Sequence, residues 1–235
     1  MTKRVFACAT LTLLFGLASL ASADSISASL SAVTPNRIVD ISINGGHSYR
    51  SILAGAMQWN RTGGDHEGMP TGAFDSFCIE LTQYVNYHNN YTFEVVPLET
   101  APRPGGFGVG QGMMTLKADF VRELWGRHYS EVTTRDSAAA FQLAVWEIVY
   151  DDGVTLNDGS FRVRPRSTTP LYVTIAQNWL DSLDGHGPKA PLAALSNPCL
   201  QDQVIAVPLP SAAFGGIALV LVMAVIKIRR NLLEP

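Results

Sequence analysis

The sequence predicts an α+β fold: a β-rich sandwich- or barrel-like domain carrying an inserted block of about three helices. Three observations predict it. Up to Pro97, short runs place apolar residues at every second position, the period of a half-buried strand. After Pro97 the period becomes helical over three segments. Near the C-terminus one more strand-like run, CLQDQVIAVP, follows.

SISASLSAV (25–33) and RIVDISI (37–43) alternate, with Pro35-Asn36 as the expected turn between them. SILAGAMQWN (51–60) continues the pattern, and NRTGGDHEGMPTG is a polar loop. FDSFCIELTQYV and YTFEVVPL are strand-like and separated by NYHNN. Beyond the loop ETAPRPGGFGVGQG, MMTLKADFVRELWG reads as an amphipathic helix with Leu116, Phe120, Val121 and Leu124 on its inner side. DSAAAFQLAVWEIVYDDG follows as a second helix, with Asp136 as its expected N-cap and Gly153 beyond its end. DDGVTLNDGSFRVRPRS suggests a hairpin. Thr169 and Pro170 then open a third helix, with Leu171, Ile175, Trp179 and Leu183 facing inward. DGHGPKAPLAALSNP reads as a linker.

The second helix carries an anomaly. Gln142 shares its apolar stripe with Ala138, Ala139, Val145, Trp146 and Val149. Burying an unpaired amide costs about 1–3 kcal/mol, so something must satisfy this group or use it.

Composition and the two ends bound the function. A net charge of −3 with no basic face makes nucleic acid an unexpected partner. Lys3 and Arg4 precede an apolar run from Val5 to Leu20 and then Ala21-Ser22-Ala23, the layout of a secretory signal peptide cleaved after Ala23. At the other end, Ala212 to Ile226 is apolar or glycine throughout, and Lys227, Arg229 and Arg230 follow at once. That pattern suits a transmembrane helix anchored in the inner membrane, its basic side in the cytoplasm. The expected organisation is a signal peptide (1–23), an ectodomain (24–196), a linker or stalk (197–206) and a C-terminal signal (207–235).

Val207-Pro208-Leu209-Pro210, the apolar span and the basic tail together resemble the PEP-CTERM sorting signals of Gram-negative bacteria, in a VPLP-type variant with Leu209 where the family name has Glu. The resemblance implies an exosortase-type processing protease as partner, and a destination at the cell surface or in the extracellular matrix.

Two motifs inside the ectodomain carry a second resemblance. Phe77-Cys78-Ile79-Glu80 and, further on, Gln142-Leu143-Ala144-Val145-Trp146 resemble the thioester domains of bacterial surface adhesins. That likeness implies Cys78 as the thiol and Gln142 as the acyl donor, condensed with loss of ammonia. Phe77, Phe141, Ala144, Val145 and Trp146 would form the surrounding pocket; Phe141 stands where that family usually has Thr. An extracellular amine or hydroxyl would attack the acyl carbon, so the protein would be a single-use electrophile and not an enzyme, and no cofactor is implied. The alternative is an unreactive structural or matrix-associated surface protein with a Cys78–Cys199 disulfide, the ordinary use of two cysteines after export.

Other groups are weaker candidates. The glycine loop 105–112 lacks the strand and the Lys-Ser/Thr ending of a phosphate loop. Asp65-His66-Glu67 has no metal-binding partner at helical spacing, and Asp151, Asp152, Asn157 and Asp158 fit turn chemistry rather than a calcium loop. His88 and His128 have no assigned place, and no Ser-His-Asp arrangement stands out.

Overall fold

One long strand organises the domain in a computed structural model, which describes residues 24–66, 69, 71–103, 112–151, 155–166, 168 and 170–207. The expected signal peptide, Pro208, Leu209, Pro210, the apolar span and Lys227, Arg229 and Arg230 lie outside these residues. Strand β1 (Ser25–Ser42) pairs antiparallel with β2 (Arg50–Gly63) over most of its length. Its first residues also pair with β4 (Asn90–Pro97), and its last with β5 (Arg162–Arg164). From β2 the ladder runs to β3 (Gly72–Cys78), β7 (Leu200–Ala206) and β6 (Leu192–Asn197), then back to β4. Six antiparallel strands therefore close into a barrel, and β5 extends it as a flange. Closure pairs strand edges that would otherwise invite aggregation.

Helices α1 (Met114–His128), α2 (Arg135–Tyr150) and α3 (Leu171–Asp181) come between β4 and β6 in the chain. The expected α+β class is thus met, with a barrel as its β component. Helix α2 lies between the β1–β2 wall and helices α1 and α3. Every residue from Ser137 to Val149 is buried, so α2 is covered all round and not along one stripe. Its cap is Thr134, whose hydroxyl accepts from Ser137 N at 3.1 Å while Ser137 Oγ accepts from Thr134 N at 2.9 Å. Asp136 instead takes the Arg37 guanidinium through two contacts of 2.9 and 2.8 Å.

Several expectations change. Pro35-Asn36 is not a turn; it forms an irregularity inside the continuous β1, where the register shifts between Val33 and Asn36. The expected linker contains β6, and the expected stalk is β7, a barrel strand bonded on both sides. The run after Cys78 leaves the sheet. Among the described residues, 151–167 supplies β5 alone, which pairs with β1 and forms no hairpin. On α1, Leu116 is exposed while Glu123 is fully buried. Glu123 earns that place by accepting from Arg127 Nε and Gly185 N, both at 2.8 Å, and from Gly187 N at 3.1 Å, which ties the 184–187 loop to the helix. On α3, Pro170 stands at the N-cap and Thr169 lies outside the described residues. Tyr172, Ala176, Trp179 and Leu180 form the buried face, and Leu171 is exposed.

Gly55 shows how tightly the β1 irregularity is seated. A Cβ there would lie 2.2 Å from the Pro35 carbonyl oxygen and 2.8 Å from Asn36 Cα, both main-chain atoms that cannot swing away. Gly55→Ala should therefore destabilise the protein by about 1–3 kcal/mol, read as a lower urea midpoint; an unchanged midpoint would show that the strand crossing is looser than described.

Candidate functional site

The β2–β3 ladder ends at Met57 opposite Ser76. Continued by two residues, the same register would set Gly55 opposite Cys78, but the β2–β3 pairing goes no further than Met57 and Ser76. β2 has thus moved away, and buried main-chain groups left behind would carry a full desolvation cost. Helix α2 fills the gap with one side chain. Cys78 N donates to Gln142 Oε1 at 3.0 Å, and Gln142 Nε2 donates to the Cys78 carbonyl at 2.8 Å. The amide of Gln142 acts as one rung of a missing strand, which explains its place in apolar surroundings.

The cysteine side chain is held separately. Cys78 Sγ donates to the Glu80 carbonyl at 2.8 Å, and that oxygen also accepts from Gln201 Nε2 at 3.0 Å. Burial pushes the thiol up to about 12, with Trp146 and the Glu80 carbonyl contact pulling the other way. The Trp146 indole N–H is buried and has no hydrogen-bond partner among the described residues. It is thus a donor held where it acts on the Cys78 sulfur.

Behind the thiol runs a buried polar chain. Trp59 Nε1 donates to Ser76 Oγ at 2.8 Å, Ser76 Oγ to Gln203 Oε1 at 3.1 Å, and Gln203 Nε2 to the Gln201 carbonyl at 3.0 Å. The segment leaving β3 is also tied down. The Glu80 carboxylate accepts from Thr82 N at 2.5 Å and Gln83 N at 2.7 Å, and Leu81 N donates to the Tyr150 hydroxyl at 2.7 Å. Burial raises the pKa of that Tyr150 hydroxyl.

A cavity of about 310 Å³ opens where β2 and β3 part. Cys78, Gln142, Trp146 and Gln201 lie in its lining, with Gly55 and Met57 in the wall. Tyr84 and Tyr87, 65% and 46% exposed, stand at its rim. No carboxylate, lysine, arginine or histidine of the described residues lines it.

The sequence-derived site residues are therefore only partly assembled. Cys78, Gln142 and Trp146 meet in the cavity. Phe77 and Phe141 do not line it: they pack on each other at 4.6 Å between ring centres, in a cluster with Trp125 and Tyr129. Successive residues of a strand face opposite ways, which sends Phe77 to the side away from Cys78. Ala144 and Val145 are buried but lie outside the cavity lining. The alternative disulfide is not formed: Cys78 is buried and free, and Cys199 is exposed and free in the β6–β7 turn.

The weaker candidates take ordinary structural roles. His66 pairs with Asp24 at 2.9 Å, and Glu67 lies outside the described residues, as do Asp152 and 105–111. His128 stacks on Trp179 and contacts Glu131 and Ser182, while the His88 main chain bonds to Leu30. Asp151 accepts from Phe161 N, and Asp158 from Gly159 N and Arg162. Among the described residues no group of three or more His, Cys, Asp or Glu side chains could hold a metal. The reading of the sequence missed Gln201, Gln203, Ser76 and Trp59; the signal was there in the two glutamines spaced by two, on one face of a strand-like run. No family model matches the chain, and no curated protein or solved structure is significantly similar to it.

Two measurements check this site. At neutral pH, native protein exposed to iodoacetamide should be alkylated at Cys199 and not at Cys78, which reacts only on unfolding; early modification of Cys78 would contradict its burial and raised pKa. Farther along α2, Glu147 is buried, desolvation and neighbouring Asp151 push it up to about 8 from 4.5, and its carboxyl oxygens have no close hydrogen-bond partner among the described residues. The folded protein therefore holds a proton there that the unfolded chain releases, so this contribution to stability is full below about 4.5 and is lost as pH rises through about 8. Glu147→Gln should flatten the decline in the thermal midpoint between those values; an unaltered slope would place the titration elsewhere.

Proposed function

We propose that the protein is an exported surface protein whose Cys78 and Gln142 condense to an internal thioester, for covalent attachment to an extracellular nucleophile. The observation that carries this reading is the double hydrogen bond between the Gln142 carboxamide and the Cys78 main chain, which holds an acyl group beside the residue whose thiol would attack it. The Cys78 N–H already bonds the oxygen on which negative charge would develop, the role of an oxyanion donor. In the condensation, sulfur bonds to the Gln142 carboxamide carbon, the carbon–nitrogen bond breaks, and nitrogen leaves as ammonia with the thiol proton. The raised pKa of Cys78 makes loss of that proton the difficult part, and the Trp146 N–H, which pulls that pKa down, is suited to stabilise the developing thiolate. Export and sorting rest on the sequence patterns at the two ends.

A second reading is supported by the same hydrogen bonds. They satisfy both halves of the amide, so Gln142 could serve as a permanent structural rung in an unreactive surface protein.

Intact mass separates the two. The purified unreduced protein should weigh one ammonia less than calculated, methylamine should add across the thioester, and Cys78→Ala and Gln142→Ala should each abolish the deficit. A wild-type mass equal to that calculated leaves the structural rung; a deficit that survives either substitution overturns the assignment of the pair.

A further inference from the structure

Beside the cavity mouth the surface is unusually cationic for a chain of net charge −3. Ser51, which lines the cavity, donates to Asp40 Oδ1 at 2.6 Å and meets Arg166 Nη2 at 2.5 Å. Arg166 and Arg164 both reach Asp40, at 2.6 and 3.4 Å, and Arg164 also lies over the Tyr49 ring at 4.7 Å. Arg50 contacts the Leu81 carbonyl and the Tyr84 hydroxyl, and no carboxylate among the described residues. Two guanidiniums thus share a single carboxylate, and the third contacts none among the described residues. The arginine hydrogen bonds hold that carboxylate down at about 2, so it remains charged and cannot relieve the excess further. Arg164 and Arg166 keep 58% and 42% of their side chains exposed.

The mouth also carries aromatic residues. Tyr84 and Tyr87 present exposed rings, suited to stacking on the apolar face of a pyranose, and the Tyr84 hydroxyl is within 3.4 Å of Arg50. Arginines and exposed tyrosines about one mouth match a polymer with both carboxylates and sugar faces. The cavity itself bears on the nucleophile. Among the described residues it has no carboxylate to attract an ammonium group or accept its proton, and the arginine ledge repels cations.

We propose that the mouth of the cavity docks an acidic polysaccharide of the uronic-acid class and delivers one of its hydroxyl groups to the acyl carbon of Gln142. The covalent part rests on the thioester reading above. The hydroxyl oxygen bonds to the acyl carbon, the carbon–sulfur bond breaks, and the departing sulfur takes the hydroxyl proton. The products are a glutamyl ester to the polymer and a restored Cys78 thiol, with no other reactant consumed.

Reversible docking and covalent capture are tested apart. Calorimetry on the purified Cys78→Ala protein, which cannot form the bond, uses polygalacturonate, neutral dextran and duplex DNA as probes. Polygalacturonate should bind, more weakly as salt rises, while dextran should not. Arg164→Gln combined with Arg166→Gln should weaken binding at least about fivefold, and Asp40→Asn, which frees the arginines, should strengthen it, an opposite sign that loss of folding cannot imitate. Equal binding of dextran, preference for DNA, or indifference to these substitutions overturns the docking surface. Wild-type protein that binds polygalacturonate yet has its full calculated mass overturns the thioester reading and leaves the docking surface standing. Protein that has the ammonia deficit but esterifies polygalacturonate no faster than dextran does the reverse.

Discussion

At Cys78 the barrel wall is completed by a side chain, because the β2–β3 ladder stops at Ser76 and no strand takes the Cys78 main chain on that edge. The Gln142 carboxamide carries a donor and an acceptor at the spacing of a peptide group, so it can do what a strand would. Much else follows from that substitution. Helix α2 must sit against the seam, which puts its whole circumference in the interior and requires α1 and α3 as an outer cover. The same parting of β2 from β3 leaves the space that becomes the cavity.

The parts of this arrangement legible in sequence are those fixed by local pattern. The alternation of β2 and β4 and the helical period of α1, α2 and α3 placed all five elements close to where they stand. What was illegible depends on distant partners. LAALSN lacks the β-branched residues that mark a strand, and it becomes β6 because β4 and β7 supply its ladder. Pro35 signals a turn, yet β2 pairs on both sides of it and the chain runs on as one strand. Asp136 has the chemistry of a cap but is drawn to Arg37, leaving the task to Thr134. Glu123 reads as a solvent-facing residue until a glycine-rich loop brings it three main-chain donors.

The candidate site divides in the same way. An amide on an apolar helix and a cysteine in an apolar strand can be seen as oddities in the one-dimensional sequence, and the fold brings both into one cavity. The aromatic residues next to them in sequence divide by period. Trp146, one turn from Gln142, shares its side of α2, whereas Phe141 points into the Phe77–Trp125 cluster. The glutamines of β7 that support the thiol from behind come from a segment far off in sequence, joined to Cys78 through the β3–β7 ladder and the shared Glu80 carbonyl.

That ladder also sets how the domain would respond to mechanical load. β7 is the last described strand, its neighbours on either side are β3 and β6, and Val207 N is bonded to the Pro191 carbonyl where the strand ends. Tension applied beyond Val207 runs along β7 and puts its two ladders in shear, so several rungs must yield together instead of peeling singly. The residues opposite it on β3 are Phe77 and Cys78. A tether at that end would therefore pull on the strand that backs the thiol.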